Sequence, residues 1–394
     1  MPVEQTLQTT SLDVPNLEVL CAALHAAASN LDAYEVWPKE QLEWCAEAGV
    51  FRWFIDEGHG GSNRTDAEII EGYLALSQSC LTTTFILTQW SAACRRIATS
   101  TNRALAEKLL PQLATGELFA TVAISHLSTS RQHATRPPLT AQRRPDGSFV
   151  LNGYSAWVTG GAYADYIVIG AVLPDGNQIL CCVPRMCPGL TTYLGQRLVA
   201  LTSSCTDKIE LTNVIVQPTD VIAGPVANVM QSGGGGGTGG LQTSTLAIGL
   251  AIAAANFLKA ESSQRRDIAD AAKSIEAESR ALRSSLLSLA KGDAIKPSTS
   301  KPSTSKLSAS KLSASKPSAS KLSASDLRVK ANSLVLRATQ AALTVAKGAG
   351  FAADNAVGRW AKEALFFLVW SCPQPVLNAN LTELTRIDSE DCSL

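Results

Sequence analysis

Residues 147–172 read GSFVLNGYSAWVTGGAYADYIVIGAV. Two runs rich in β-branched and aromatic residues, FVLNGYSAWVT (149–159) and DYIVIGAVL (165–173), flank a G-G-A turn, which is the pattern of neighbouring strands. The same texture continues outward. FATVAIS (119–125) precedes it and QILCCVP (178–184) follows, with P-D-G and P-D-G-N turns between the runs. These residues predict a compact antiparallel, barrel-like β-domain over 119–228.

Helical periodicity surrounds that block. Leu17, Leu20, Leu24 and Leu31 recur at helical spacing, and Pro38 suits the first turn of a helix that ends at Gly49. Thr65-Asp66-Ala67-Glu68 forms a capping-box pattern, and another helix runs from about Asn102 to Pro111. An N-terminal helical domain is expected over 14–118. After GPVANVMQSGGGGGTGG, whose glycines define a linker at 229–240, helices return at 241–262, 265–291, 327–348 and 356–370. Together they predict a C-terminal helical bundle over 241–385, so the fold class is α+β.

The bundle is interrupted. Residues 296–325 are six five-residue units, KPSTS KPSTS KLSAS KLSAS KPSAS KLSAS. They hold no aromatic residue and too little apolar surface to offset the entropy of ordering, so 292–326 reads as a disordered Lys/Ser-rich insertion between two helices. The alternative, a basic tether for an acidic partner or membrane surface, is weakened by the spacing of the lysines.

The 394 residues carry 34 Lys+Arg and 34 Asp+Glu, giving zero net charge. Outside the repeat, 28 basic residues face 34 acidic ones. That balance gives no footprint for nucleic acid. At 45% hydrophobic and 17% charged, the chain reads as a packed globular protein. The most apolar run, LAIGLAIAAANFL (246–258), is short of the ~20 residues that span a bilayer and predicts a buried helix. No secretory pattern opens the chain. Ten cysteines without C-x-x-C, and four histidines without H-x-x-x-H, argue against metal or disulfide scaffolds and for a cytoplasmic protein.

Four segments, in order, resemble the acyl-CoA dehydrogenase superfamily. WCAEAGVFRWFIDEGHGGSNRT (44–65) is similar to that family's turn before a long helix. TNRALAEKLLPQLATGELFATVAIS (101–125) resembles its passage into the β-domain. The opening stretch holds its N-G-x-x-x-W-[IV]-[TS] motif, and KGAGFAADNAVGRWAKEALFF (347–367) matches its late helix-turn-helix region.

The resemblance implies a flavin, FAD with FMN or reduced flavin as alternatives, held between β-domain and C-terminal helices in a homodimer or homotetramer. It places Trp157 beside the flavin ring and Thr159 near its reactive edge; the alternative is a core aromatic and an ordinary strand residue. Ser125 and His126 fall at the pyrimidine edge. His126 is also the candidate base or stabiliser of a flavin oxygen adduct, against the reading of an oriented polar residue at a strand end. Arg265 falls near a pyrophosphate-binding arginine, or is a solvated helix charge. Gly348 and Gly350 match a helix end that approaches a neighbouring subunit's cofactor, or form a plain C-cap.

Departures are equally specific. The family's catalytic glutamate position holds Ser371, within Trp370-Ser371-Cys372-Pro373, and serine is not a competent base at neutral pH. The alternative base location aligns with Gly239 and Gly240. The usual L-T-E-P-x-x-G-S-D loop is Ser125-His126-Leu127-Ser128-Thr129-Ser130-Arg131. Cys372 reads as structural rather than nucleophilic. The expected function is a flavin-dependent oxidoreductase acting on the CH–CH group of an acyl thioester or similar substrate. The alternatives are a flavin-dependent hydroxylase of the same fold and a flavin-free scaffold.

Overall fold

A computed structural model describes residues 14–33, 36–128, 136–231, 240–292 and 322–385. The first helices are α1 (Val14–Ala33), α2 (Lys39–Glu47), α3 (Asp66–Ser79), α4 (Leu81–Ala98) and α5 (Arg103–Thr115). Their ends follow local chemistry. Gly49 and Gly116 take left-handed φ of 75° and 77° after α2 and α5, a backbone region open to glycine. The Thr65–Glu68 capping box opens α3, and the Asn102 side chain accepts the Leu105 N–H to open α5. α5 runs beyond Pro111 to Thr115 rather than stopping at the proline.

The β-domain follows: β1 (Ala120–Ala123), the short α6 (Ser125–Ser128), β2 (Leu139–Arg143), β3 (Phe149–Val158), β4 (Tyr166–Val172), β5 (Gln178–Pro184), β6 (Leu190–Thr192), β7 (Asp207–Val216) and β8 (Val221–Val226). Strand order is β6-β7-β3-β2-β4-β5-β8. The sheet is mixed, which corrects the antiparallel expectation: β1 lies parallel to β4, with Ala120 opposite Tyr166 and Ala123 opposite Ile169, and β2 touches β4 in parallel at Thr140 and Val172. Residue alternation reports which face a strand buries, not which neighbour it chooses.

The chain closes with α7 (Leu241–Ser262), α8 (Ala269–Ala290), α9 (Ala324–Ala346), α10 (Ala356–Ala364) and α11 (Gln374–Thr385). At 22 residues, α7 exceeds its 13-residue apolar run and is long and apolar enough to cross a membrane. Yet 72% of its most apolar window is buried inside the molecule, where it packs on α3, α8 and α9. That is the burial expected of a central core helix. α9 begins within the last repeat unit, earlier than the sequence reading placed it. Ser323 and Asp326 form its capping box, and Leu322 packs against the core. Most of the repeat, the Gly-rich linker at 232–239 and Thr129–Arg131 lie outside the described residues.

Two apolar cores result. One lies within the β-domain, around Leu139, Leu151, Ile169 and Val214. The other joins the N-terminal helices, the C-terminal helices and the inner side of β1, β4 and β5. Residues at the border of the two cores therefore stand where three segments converge.

Candidate functional site

β3 ends at that border. Along it the burial alternates as far as Asn152 and breaks at Gly153, and near its end Trp157 is 56% exposed between buried Val158 and half-buried Ala156. The β3–β7 register shifts between Ser155 and Val158, which releases the strand from strict alternation. Thr159 follows and is buried. Its Oγ1 lies 2.9 Å from Thr206 Oγ1, and its carbonyl accepts from Thr121 Oγ1 at 2.7 Å. The Thr159 hydroxyl is thus engaged within the protein.

The turn after Thr159 is clamped from three sides. The Gly160 N–H donates to the carbonyls of Ser204 and Cys205. Gly160 has φ of 63°, and a Cβ there would lie 2.4 Å from the Trp37 ring. Trp37 stacks on Tyr163 with centroids 5.0 Å apart and meets Phe119 edge-on at 5.4 Å. The sequence reading missed Trp37, Ser204 and Thr206. The one local signal was the polar run Thr202-Ser203-Ser204 before Cys205 and Thr206 in a segment otherwise bounded by strands.

Beside this turn, β1 leads into α6, which carries Ser125 and His126. His126 Nε2 sits 2.9 Å from the Gly170 carbonyl on β4. A carbonyl only accepts, so Nε2 carries the proton and Nδ1 holds a lone pair. Nδ1 is buried and has no hydrogen-bond partner among the described residues. Burial pushes the imidazole pKa down to about 4, partly offset by the Gly170 bond. Such a ring is neutral at physiological pH and a weak base. It serves better as an acceptor than in the proton-removing role the sequence suggested.

A second group lies on the C-terminal helices. Arg265 donates to the Val345 carbonyl at 3.1 Å and pairs with Asp267 at 3.1 Å, fixing the end of α9 beside the entry to α8. Gly348 and Gly350 follow in the 3-10 turn Lys347–Phe351. A Cβ at Gly350 would meet Ala346 Cβ at 2.8 Å, whereas Gly348 faces open space. Arg265 and the glycine turn are brought together.

The chemistry of these groups is put in context by relatives. Residues 18–117 match the acyl-CoA dehydrogenase N-terminal domain family. A 183-residue stretch, 45% of this chain and 43% of the relative, is 26% identical to mitochondrial isobutyryl-CoA dehydrogenase of Bos taurus, so the match spans under half of that protein. Butyryl-CoA dehydrogenase from Megasphaera elsdenii superposes with a TM-score of 0.76 over 97% of this chain and 100% of its own, at 16% identity. The chain thus has an acyl-CoA dehydrogenase N-terminal domain and, over its length, the acyl-CoA dehydrogenase fold. TdsC from Paenibacillus sp. A11-2, in a complex with FMN and indole, shares the fold with a TM-score of 0.69, 15% identity, and coverage of 95% of this chain and 97% of that one.

The resemblance set Ser371 at the superfamily's glutamate position, and there the chain makes a tight turn. Ser371 has a left-handed φ of 46°. Trp370 stacks on Phe366 at 5.1 Å, and both meet Phe85 of α4 edge-on, at 5.1 and 4.8 Å. From α9, Arg328 donates to the Trp370 carbonyl at 2.9 Å and Asn332 to the Phe367 carbonyl at 3.0 Å. Burial lowers the Arg328 pKa to about 10. The nearest buried carboxylate in sequence, Glu363, lies 3.6 Å from Arg359, and both side chains are 5% exposed. Cys372 accepts from Asn380, and burial raises its thiol pKa, as suits a structural cysteine. Among the described residues no His/Cys/Asp/Glu cluster could hold a metal.

The residues fit a flavin. An unpartnered buried acceptor at His126, an exposed indole at Trp157 and a glycine-lined turn near Arg265 are the features that a flat, polar-edged cofactor with a pyrophosphate requires.

Proposed function

We propose that this protein is a flavin-dependent oxidoreductase that holds FAD through Trp157, Thr159, Ser125 and His126 on one side and Arg265, Gly348 and Gly350 on the other. Bound flavin would supply two-electron chemistry on a CH–CH group of an acyl thioester or similar substrate. The observation that carries the reading is His126 Nδ1, without a partner among the described residues: a buried acceptor left so costs ~1–3 kcal/mol unless something donates to it. The Trp157 indole would cover the ring, and the buried Thr159 side chain would exclude water from its edge.

The glycine turn also supports a homodimer or homotetramer. Phe351 is 84% exposed beside it, and Leu377, Leu381 and Leu384 form an exposed apolar stripe on α11, the kind of surface that subunits cover. The nine described cysteines are all free thiols, in keeping with a reducing cytoplasm.

A second reading, flavin-dependent hydroxylation, is favoured by one feature: the base position is Ser371, set in an aromatic stack rather than beside a carboxylate. The purified protein is expected to be yellow with near-stoichiometric flavin. A colourless protein that takes up no added FAD would leave the non-catalytic scaffold standing. Anaerobic titration with a panel of acyl-CoA thioesters separates the two chemistries. Bleaching of the flavin band supports the dehydrogenase, and a band that no thioester bleaches supports the hydroxylase.

A further inference from the structure

Arg328 carries a charge that the described residues leave without a counter-charge. The residue is 4% exposed on α9, and burial lowers its pKa only to about 10, so the guanidinium stays protonated at neutral pH. Nη2 donates to the carbonyls of Trp370 at 2.9 Å and Phe367 at 3.4 Å. Nε and Nη1 are buried and have no hydrogen-bond partner among the described residues. No described carboxylate pairs with Arg328: Glu363 of α10 lies beside Arg359, and Glu383 of α11 beside Ser333 and Arg337. The titratable group next to the guanidinium is the Cys372 thiol, kept neutral because burial raises its pKa. The Phe367 ring lies 5.9 Å from Cζ, a weak substitute for an anion.

One helical turn on, Asn332 is fully buried and reaches the same atom. Its Nδ2 donates to the Phe367 carbonyl at 3.0 Å and to Asn380 Oδ1 at 3.5 Å. Its Oδ1 is an acceptor with no partner among the described residues. Unmet donors on a cation and an unmet acceptor thus converge on one carbonyl. Buried charges are paired in folded proteins, and each buried polar atom left unmatched is destabilising. A water would match both the donors and the acceptor but leave the charge. A halide would balance the charge but leave Asn332 Oδ1 without a donor. A small oxyanion that keeps one proton satisfies all three demands. We infer that Arg328 and Asn332 bind such an anion, of the hydrogencarbonate class, its oxygens accepting from Arg328 Nε or Nη1 and its hydroxyl donating to Asn332 Oδ1. The adjoining turn gives access, since Ser371 and Cys372 are half-buried and Val369 is 74% exposed.

The test adds hydrogencarbonate, nitrate or chloride to the full-length protein at fixed pH and ionic strength. The melting temperature should rise saturably with hydrogencarbonate, by roughly 2–4 °C, and far less with the two proton-free anions. Isotopically labelled hydrogencarbonate, followed by carbon NMR, should show saturable line broadening with the wild type, a readout that needs no variant. Arg328→Met should lose both responses. Asn332→Asp, which sets a carboxylate beside the guanidinium, should lose them too and covers the case in which Arg328→Met fails to fold. Equal shifts with all three anions, no saturable broadening, or an unchanged response in Asn332→Asp would each overturn the inference. Neither readout requires bound flavin, so the outcome is independent of the function proposed above.

Discussion

At His126 the decisive feature is one nitrogen. Unfolded, its imidazole takes up a proton near pH 6.5; folded, near 4. Between those values the unfolded chain binds the extra proton, so stability is lost as pH falls through the window, by roughly 3 kcal/mol in all. His126→Gln should remove that component, and urea titrations at pH 4.5 and 7 should differ by less in the variant than in the wild type. Gly160 makes a second prediction. Alanine there is strained by the φ of 63° and collides with Trp37, a cost of about 2–4 kcal/mol. Trp37→Ala in the same chain should recover part of it, measured as non-additive denaturation free energies. Trp157, Thr159 and His126 could be picked out in the sequence because they fall in or beside recognisable strand runs. Trp37 and Thr206 could not, since what makes them matter is a contact across more than 40 residues of chain.

For the elements, capping chemistry was readable and pairing was not. Thr65, Asn102 and Gly49 act where their residue types predict, because a cap is a contact within a few residues. β1 is only 4 residues long, and its parallel place beside β4 depends on the helices packed behind it. The start of α9 was masked by composition, as Ser323 belongs to a repeat that otherwise reads as solvated. Ser323→Ala should cost about 1 kcal/mol, visible as a lowered melting temperature.

The whole molecule has one core shared by its first and last helices and another inside the sheet. The order helix, sheet, helix was legible because periodicity changes twice along the chain. Ser371 was legible as a departure, while the aromatic stack and Arg328 around it were not, because they come from α4 and α9. Removing residues 296–320, which spares the α9 cap, is expected to leave melting temperature and flavin content unchanged.

The cap also bears on how the repeat can evolve. Every unit places serine third, so gaining or losing a whole unit always presents a serine three residues before Asp326. Loss of the final KLSAS brings KPSAS to the helix and exchanges Leu322 for proline, leaving the cap itself untouched. Copy number can therefore drift in steps of five with the cap kept, whereas a partial deletion confined to the final unit can take the serine away from that place.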